Sequence, residues 1–328
     1  MLLLLLCFGW WSHCYLNKGI VMPNSALLKG DHIVILLLIS LCSFSVSAKK
    51  IIQGITQDSE NIVVAKGDIP TPEKFTTNIL NYRQKAVDQL TLVETALKNV
   101  IVNSEKNQLT DAQLAYQQAH YHYEVIRPII ALFGATERLL NNRADFFLER
   151  ENSPRFSGFH LVEYQLFKLE DMQSSAESAK ALLRGISDLK KRLAIEDIPI
   201  AKLVQSAGDS LELILTDKLA GIENQYAKSD LGDGYANLYG SRLIIESLSN
   251  HIPLQEYQSL RKQYDTISKL FLKYQRDEEL FQPLDTLSDS EKAVLFAQIT
   301  QLAEQVAQLR NVLNIDVYYY YKEAYGEK

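Results

Sequence analysis

Cysteine and tryptophan are scarce in this sequence, and both are confined to its beginning. The 328-residue chain has 3 cysteines and 2 tryptophans, which are Cys7, Trp10, Trp11, Cys14 and Cys42. If residues 1–48 are removed, the remaining chain contains no thiol. That excludes a disulfide, a thiolate metal site and a cysteine nucleophile from the rest of the protein.

Long apolar runs are also confined to the start of the chain. Residues 33–48, IVILLLISLCSFSVSA, form an apolar run that is too short to span a bilayer comfortably. Lys29 lies upstream of the run, and residues 46–48 are small side chains of the kind that a signal peptidase reads. We therefore predict that residues 1–48 are a signal region cleaved after Ala48. Residues 1–21 add a second apolar stretch, which we interpret as a spurious extension upstream of a start at Met22; an uncleaved membrane anchor is the alternative.

Basic clusters and the common catalytic signatures are missing. The formal net charge is −6, and a mildly acidic chain without basic clusters is a poor candidate for binding nucleic acid or anionic lipid. The sequence has no H-E-x-x-H zinc helix, no G-x-S-x-G elbow and no glycine-rich phosphate loop. Nothing in it therefore indicates a nucleotide cofactor.

Strand-like alternation is nearly absent after residue 70, and helical periodicity takes its place. Thr71, Pro72 and Glu73 form a helix start signal. We predict helices over 71–102, 110–133 (kinked or split at Pro128), 134–150, 158–169, 174–194, 198–227, 235–250, 253–277 and 286–314. The predicted fold is all-α, an arrangement of antiparallel helical bundles, with two four-helix bundles sharing long helices. Residues 49–70 are an extended leader, 71–316 the helical domain and 317–328 a tyrosine-rich tail.

Two polar side chains interrupt an apolar run, GFHLVEYQLF, at residues 158–167. His160 and Glu163 are three positions apart, so on a helix they lie on one face and can reach a common point. A buried imidazole and a buried carboxylate must be hydrogen-bonded, paired with each other or bound to a metal ion. The spacing suits two metal ligands and suits equally a glutamate that orients a histidine.

A second group of candidates lies on the preceding helices. His120 and Glu124, in AHYHYEVIRP, are four residues apart on one face, with His122 between them. Such a cluster could supply metal ligands from a facing helix, and a solvated helix face is the alternative. Asp145 follows Arg143 and precedes two phenylalanines, so it is either paired with an arginine or used as a ligand.

Five segments together resemble the EfeO/EfeM family of bacterial iron-uptake proteins, part of the imelysin-like superfamily. They are HYEVIRPIIALF (122–133), NNRADFF (141–147), FSGFHLVEYQLF (156–167), DLGDGYANLYGS (230–241) and ITQLAEQVAQLRNVLNID (299–316). The resemblance implies a periplasmic, monomeric, all-helical component of an EfeUOB-type uptake system. Such a component binds iron, ferrous or ferric, and passes it to an inner-membrane iron permease beside a periplasmic peroxidase-type partner.

Carried over residue by residue, the resemblance implies metal ligation by His160, Glu163, Glu124 and Asp145. Carboxylate and imidazole ligands suit iron, or zinc and manganese in vitro, better than copper(I). The chain departs from the family where acids are usual, at Arg127, Ala131, Ala135 and Phe146. Tyr239 stands near a position where the family often has glutamate, and a tyrosinate could act as a substitute ligand. We expect a retained but altered site.

The resemblance leaves three functions to weigh. The first is an iron-binding transport component, in the short form that lacks a cupredoxin domain. The second is a metallopeptidase, with Glu163 or Glu124 as the general base for a metal-bound water. The third is a structural or partner-binding envelope protein in which the metal site has decayed.

Overall fold

A computed structural model describes residues 71–315, together with the backbone of two short strands at 62–64 and 319–321. The predicted signal region 1–48 lies outside the described residues, as do the rest of the leader and of the tyrosine-rich tail. The two strands, β1 (Ile62–Val64) and β4 (Tyr319–Tyr321), pair antiparallel with Ile62 opposite Tyr321. The leader and the tail thus meet through their backbones.

The described residues are predominantly helical, which confirms the predicted all-α class. The helices are α1 (Thr76–Glu105), α2 (Leu109–Ile130), α3 (Ala135–Leu140), α4 (Phe159–Glu163), α5 (Met172–Ile195), α6 (Ile200–Leu213), α7 (Asp230–Ser247), α8 (Leu254–Leu272) and α9 (Asp289–Val312). A small antiparallel hairpin of β2 (Gln275–Asp277) and β3 (Leu280–Phe281) lies between α8 and α9. None of the helices within 71–315 has the length and the apolar composition that a bilayer span needs.

The helices form two bundles that meet along α2 and α7. In the first bundle, α1 packs against α2 and α5, with the short α4 beside α5. In the second, α6, α7, α8 and α9 pack together, and α2 contacts both α6 and α7. Helical bundles are therefore confirmed, although the first has three long helices and a short one. The long helix α2 is shared between the two.

Sequence periodicity accounts for the packing of the long helices. Tyr82, Ala86, Leu90, Val93 and Leu97 of α1 are buried at spacings of three and four residues, which places them on one face. Helix α9 begins with a capping box, in which the Ser288 hydroxyl accepts from the backbone N–H of Glu291 and the Glu291 carboxylate accepts from the Ser288 backbone.

Three predicted helices are shorter than expected. The helix predicted over 134–150 ends at Leu140 and continues as loop and 3₁₀ turns. Gly158 packs against this end with φ of 78°, and a Cβ on it would lie 2.1 Å from the Leu140 carbonyl oxygen, so only glycine fits there. The helix predicted over 198–227 ends in a π-helical turn, Ile214–Lys218. Similarly, α8 ends at Leu272 and gives way to the β2–β3 hairpin.

Candidate functional site

Ionisable side chains are buried where α2, α4 and the chain segment 218–233 meet. We call this group the buried cluster; it consists of His120, Glu124, Arg127, His160, Glu163, Lys218, Glu223 and Asp233. Seven of these residues are at most 2% exposed, and the Arg127 side chain is 13% exposed. Charged side chains are rarely buried this completely unless they are paired, so each member of the cluster should have a partner of opposite charge or a hydrogen bond.

His160 and Glu163 pair with each other at the centre of GFHLVEYQLF. The His160 Nδ1 lies 2.8 Å from Glu163 Oε2, and Glu163 Oε1 accepts the backbone N–H groups of Tyr226 and Ala227, each at 2.9 Å. Both carboxylate oxygens are therefore occupied, and Glu163 fixes the orientation of the imidazole. The other ring nitrogen, His160 Nε2, has no hydrogen-bond partner among the described residues and lies 3.8 Å from Glu223 Oε1.

His120 repeats this arrangement from α2. Its Nδ1 lies 2.8 Å from Asp233 Oδ2, and its Nε2, also without a hydrogen-bond partner in the described part of the chain, lies 3.5 Å from Glu124 Oε1. The two imidazole rings are neighbours, with centroids 5.7 Å apart. Two free ring nitrogens thus each face a carboxylate, Glu124 or Glu223.

Two cations lie between these carboxylates. The same Nη1 of Arg127 contacts Glu124 Oε1 at 3.1 Å and also contacts Glu223 Oε1. Lys218 Nζ lies 3.2 Å from Glu124 Oε2, contacts Glu223 Oε2 and lies 3.9 Å from Asp233 Oδ2. Each cation therefore bridges Glu124 and Glu223, which keeps two buried carboxylates at short range without mutual repulsion.

The pKa shifts follow from these contacts. Burial lowers the pKa of His160, but the hydrogen bond to Glu163 and the charges of Glu163 and Glu223 outweigh burial and raise it to about 9. Burial likewise lowers the pKa of His120, but the hydrogen bond and charge of Asp233 and the charge of Glu124 outweigh burial and raise it. Burial raises the pKa of Glu223, but Arg127 and Lys218 outweigh it and hold the pKa well below its usual value.

Close packing of α2 against α7 sets the position of Glu124. Pro128 has no N–H, so the Glu124 carbonyl lacks the helical donor four residues on. Asn237 of α7 replaces that donor, because its Nδ2 donates to the Glu124 carbonyl at 2.8 Å and to Glu124 Oε2 at 2.9 Å. The helices approach so closely that a Cβ on Gly240 would lie 1.9 Å from the Val125 carbonyl oxygen.

Three of the five predicted ligands come together, and two lie elsewhere. His160, Glu163 and Glu124 belong to the buried cluster. Asp145 lies in a 3₁₀ turn, Ala144–Phe146, with its side chain 34% exposed, and pairs with Arg143 at 3.2 Å. Tyr239 is 37% exposed and lies two residues from the buried Asn237, which places it on the opposite side of α7.

Sequence reasoning missed Lys218, Glu223 and Asp233. The sequence did contain a signal for Lys218, because it continues the spacing of the buried Ala207, Leu211 and Ile214 along the apolar face of α6 and of the π-helical turn that extends it. Among the described residues, no three histidine, cysteine, aspartate or glutamate side chains are arranged as they stand to hold a metal ion. The donors nevertheless have suitable chemistry, since imidazole nitrogen and carboxylate oxygen are ligands for iron, zinc and manganese.

Comparison with known proteins connects this chain to a family. The imelysin family model, which carries the peptidase M75 label, matches residues 80–309. Proteins named iron uptake system component EfeO, from Escherichia coli strain K12 and from Shigella flexneri, are 30% identical over 273 residues. That alignment covers 80% of this chain and 72% of each relative. The match includes all the helices that contribute to the buried cluster.

Proposed function

The chain belongs to the imelysin family and resembles EfeO over most of its length, and on this basis we propose that it is a component of an iron uptake system. We propose further that it works in the periplasm after removal of residues 1–48. There it would carry iron, ferrous or ferric, toward an inner-membrane permease, with a peroxidase-type protein as a further partner.

One observation carries the metal-binding part of the proposal: two buried imidazole nitrogens without hydrogen-bond partners face two carboxylates. We propose His120 Nε2, His160 Nε2, Glu124 and Glu223 as the groups that hold the ion, and each imidazole would release its Nε2 proton to solvent as the ion binds. Glu163 does not hold the ion itself. Its hydrogen bond to His160 Nδ1 fixes the tautomer and the orientation of the ring. Asp145 and Tyr239 are left out of this set, since neither reaches the buried cluster.

The bound ion would compete with the protein's own cations. Arg127 and Lys218 already contact both Glu124 and Glu223, so an arriving metal ion must displace at least one of them. Such competition lowers the net affinity and favours release, which a transport protein needs more than the tightest binding.

The same contacts favour binding over hydrolysis. A metallopeptidase needs a carboxylate that is free to take a proton from a metal-bound water. Both oxygens of Glu163 are occupied by His160 and by two backbone N–H groups. Those of Glu124 are occupied by Arg127, Lys218 and Asn237.

Metal affinity measured on paired variants tests the proposal. The purified protein would be titrated with Fe²⁺, Fe³⁺, Zn²⁺ and Mn²⁺ in competition with a chelator, beside His160→Ala and Glu223→Gln. We expect one ion per chain and at least a tenfold loss of affinity in each variant. His122→Ala is the matched control, because His122 contacts Gln89 and Glu279 outside the buried cluster. A wild-type protein that binds no metal would leave the structural, partner-binding reading in its place.

A further inference from the structure

A cavity of about 610 Å³ lies beside the buried cluster, between α3, the loop that follows it and the end of α6. Arg127 and Asn141 belong to the wall of this cavity and also contact Glu223 of the cluster. Its lining consists of Arg127, Glu137, Arg138, Leu139, Asn141, Asn142, Arg143, Phe146, Phe147, Pro154, Arg155, Ser157 and Asp217. The volume is that of a site for a small organic ligand.

The charge of the lining is positive. Four arginines contribute to it against two acids, Glu137 and Asp217. Arg127 is engaged by the buried cluster and Arg143 by Asp145 and Asp217. For Arg138 and Arg155, by contrast, no carboxylate lies within 4.0 Å in the part of the chain that the structure describes. Two guanidinium groups of the lining are therefore available to an anion.

An apolar surface adjoins these arginines. Phe146 and Leu139 are 63% and 64% exposed, and both belong to the lining of the cavity. The Arg143 guanidinium lies over the Phe146 ring at 4.8 Å, and that of Arg155 lies over the Phe147 ring at 5.3 Å. A guanidinium stacked on a ring keeps its N–H edge free for bidentate contact with a carboxylate.

The cavity wall is held in shape by its own hydrogen bonds. Asn142 Nδ2 donates to Ser157 Oγ at 3.0 Å, and Asn142 Oδ1 accepts the Ser157 backbone N–H at 3.0 Å. The Ser157 hydroxyl donates to the Leu139 carbonyl at 3.0 Å. These bonds tie the two ends of the loop together, so a ligand would meet a preformed site.

We propose that this cavity binds a small organic anion, a carboxylate carried on an apolar body. Arg138 and Arg155 bind the carboxylate, and Phe146 and Leu139 contact the apolar part. The site is distinct from the proposed metal-binding groups and does not depend on iron uptake. A free carboxylate and a carboxylate within a metal chelate share this chemistry, and titration with each form distinguishes the two sources.

Calorimetric titration of the chelator-treated protein with benzoate tests the site without any metal present. We expect benzoate to bind and the Arg138→Gln/Arg155→Gln double variant to lose at least tenfold in affinity. Phe146→Ser should weaken benzoate binding severalfold and leave the binding of inorganic phosphate unchanged. The matched control is Arg261→Gln/Arg276→Gln, which removes the same charge from exposed positions of α8 and β2. All these side chains are exposed, so the variants should fold, as circular dichroism would verify.

Three outcomes would overturn the proposal: no benzoate binding, an equal loss in both double variants, or phosphate binding as tight as that of benzoate. Repeating the titration with salicylate, an aromatic carboxylate that chelates ferric iron, and with its ferric complex separates the two sources. Tighter binding of the ferric form to a Glu223→Gln protein would identify a chelate bound in the cavity. Equal binding of the two would identify the free carboxylate.

Discussion

Lys218 is an ammonium group at a helix position where the surrounding pattern requires an apolar side chain. It is 1% exposed and lies within 4 Å of Glu124, Glu223 and Asp233. Burial lowers the pKa of Lys218, but these three carboxylates outweigh burial and raise it above its usual value. The ammonium therefore stays charged. It supplies the positive charge that these carboxylates would otherwise need from a bound metal ion.

Replacing this cation should weaken the fold and strengthen metal binding. In Lys218→Met we expect the free energy of unfolding in the presence of a chelator to fall by about 3–5 kcal/mol, because carboxylates are left buried without their partner. We also expect the affinity for Zn²⁺ to rise at least tenfold, since Lys218 no longer competes for Glu124 and Glu223. Denaturant unfolding with and without Zn²⁺ measures both effects.

The control for this variant is Lys190→Met, which breaks the ion pair with Glu94 at a distance from the buried cluster. It should lower stability without any change in zinc affinity. A Lys218→Met protein that folds and binds zinc no better than the wild type would show that Lys218 does not occupy a metal position.

Asp230 gives the protein a pH dependence in the acid-to-neutral range. Burial raises the pKa of Asp230 to about 7, although the charge of Lys218 lowers it. Because the folded pKa exceeds the unfolded value near 3.9, the stability that protonated Asp230 contributes is complete below about pH 4 and is lost as the pH rises through 7. The total loss is on the order of 4 kcal/mol at 1.36 kcal/mol per pKa unit.

Asp230→Asn should remove this dependence. We expect the variant to gain stability relative to the wild type as the pH rises from 4 to 8, with no further gain above 8. Urea unfolding at each pH measures the difference, and Asp188→Asn, which removes an exposed carboxylate, controls for the change in net charge. A constant difference between variant and wild type over this range would show that Asp230 is ionised throughout.

At the scale of elements, a buried glycine decides how closely α2 and α7 pack. A Cβ on Gly240 would lie 1.9 Å from the Val125 carbonyl oxygen, and backbone cannot move aside as a flexible side chain can. Gly240→Ala should therefore cost about 1–3 kcal/mol or more of unfolding free energy. It should also weaken metal binding, because Asn237 holds Glu124 across the same contact.

Gly208 of α6 provides the matched control for this substitution. A Cβ there would meet no atom within 4 Å, so Gly208→Ala should raise stability by about 0.5–1 kcal/mol through helix propensity alone. Guanidinium unfolding of the two variants tests the pair. The close-approach explanation would be ruled out if Gly240→Ala raised the free energy of unfolding and Gly208→Ala lowered it, or if the two substitutions changed it equally.

The sequence was sufficient for elements that depend on local signals. Periodicity predicted the long helices, and α2 begins within one residue of its predicted start. The predicted helix over 134–150 is wrong because the chain leaves the helical path after Leu140. There Gly158 packs against the Leu140 carbonyl, and the Asn142 side chain forms hydrogen bonds with Ser157. These contacts join residues 15 to 18 positions apart, so helical periodicity does not reveal them.

In the candidate site, too, only the part that depends on local sequence spacing was predictable. His160 and Glu163 are neighbours on one helix turn, so their pairing could be expected from spacing alone. Glu223 falls inside the helix predicted over 198–227, and Asp233 falls in the break between that helix and the one predicted over 235–250. Only the tertiary fold brings them within reach of His160 and His120.

At the scale of the whole molecule, the buried cluster joins the two bundles. Glu223 lies in the segment between α6 and α7, yet it contacts Arg127 of α2, Asn141 after α3 and His160 of α4. A carboxylate from one bundle thus holds three side chains associated with the other. Charged contacts in a low-dielectric interior are strong only while every partner is present, so the cluster should make the bundles unfold together.

Hydrogen exchange can resolve this coupling, because peptides from α1 and α5 report on the first bundle and those from α8 and α9 on the second. In the wild type we expect the slowest amides of both sets to share one opening free energy. In Glu223→Gln the contacts across the bundles weaken, and the two sets should separate. Glu94→Gln, which disturbs a carboxylate bound by Ser187 and Lys190 within the first bundle, should lower stability without separating them. If the two sets still shared one opening free energy in Glu223→Gln, the apolar contact of α2 with α6 and α7 would be sufficient for the coupling. The charges of the buried cluster would then act in binding the ion and not in joining the bundles.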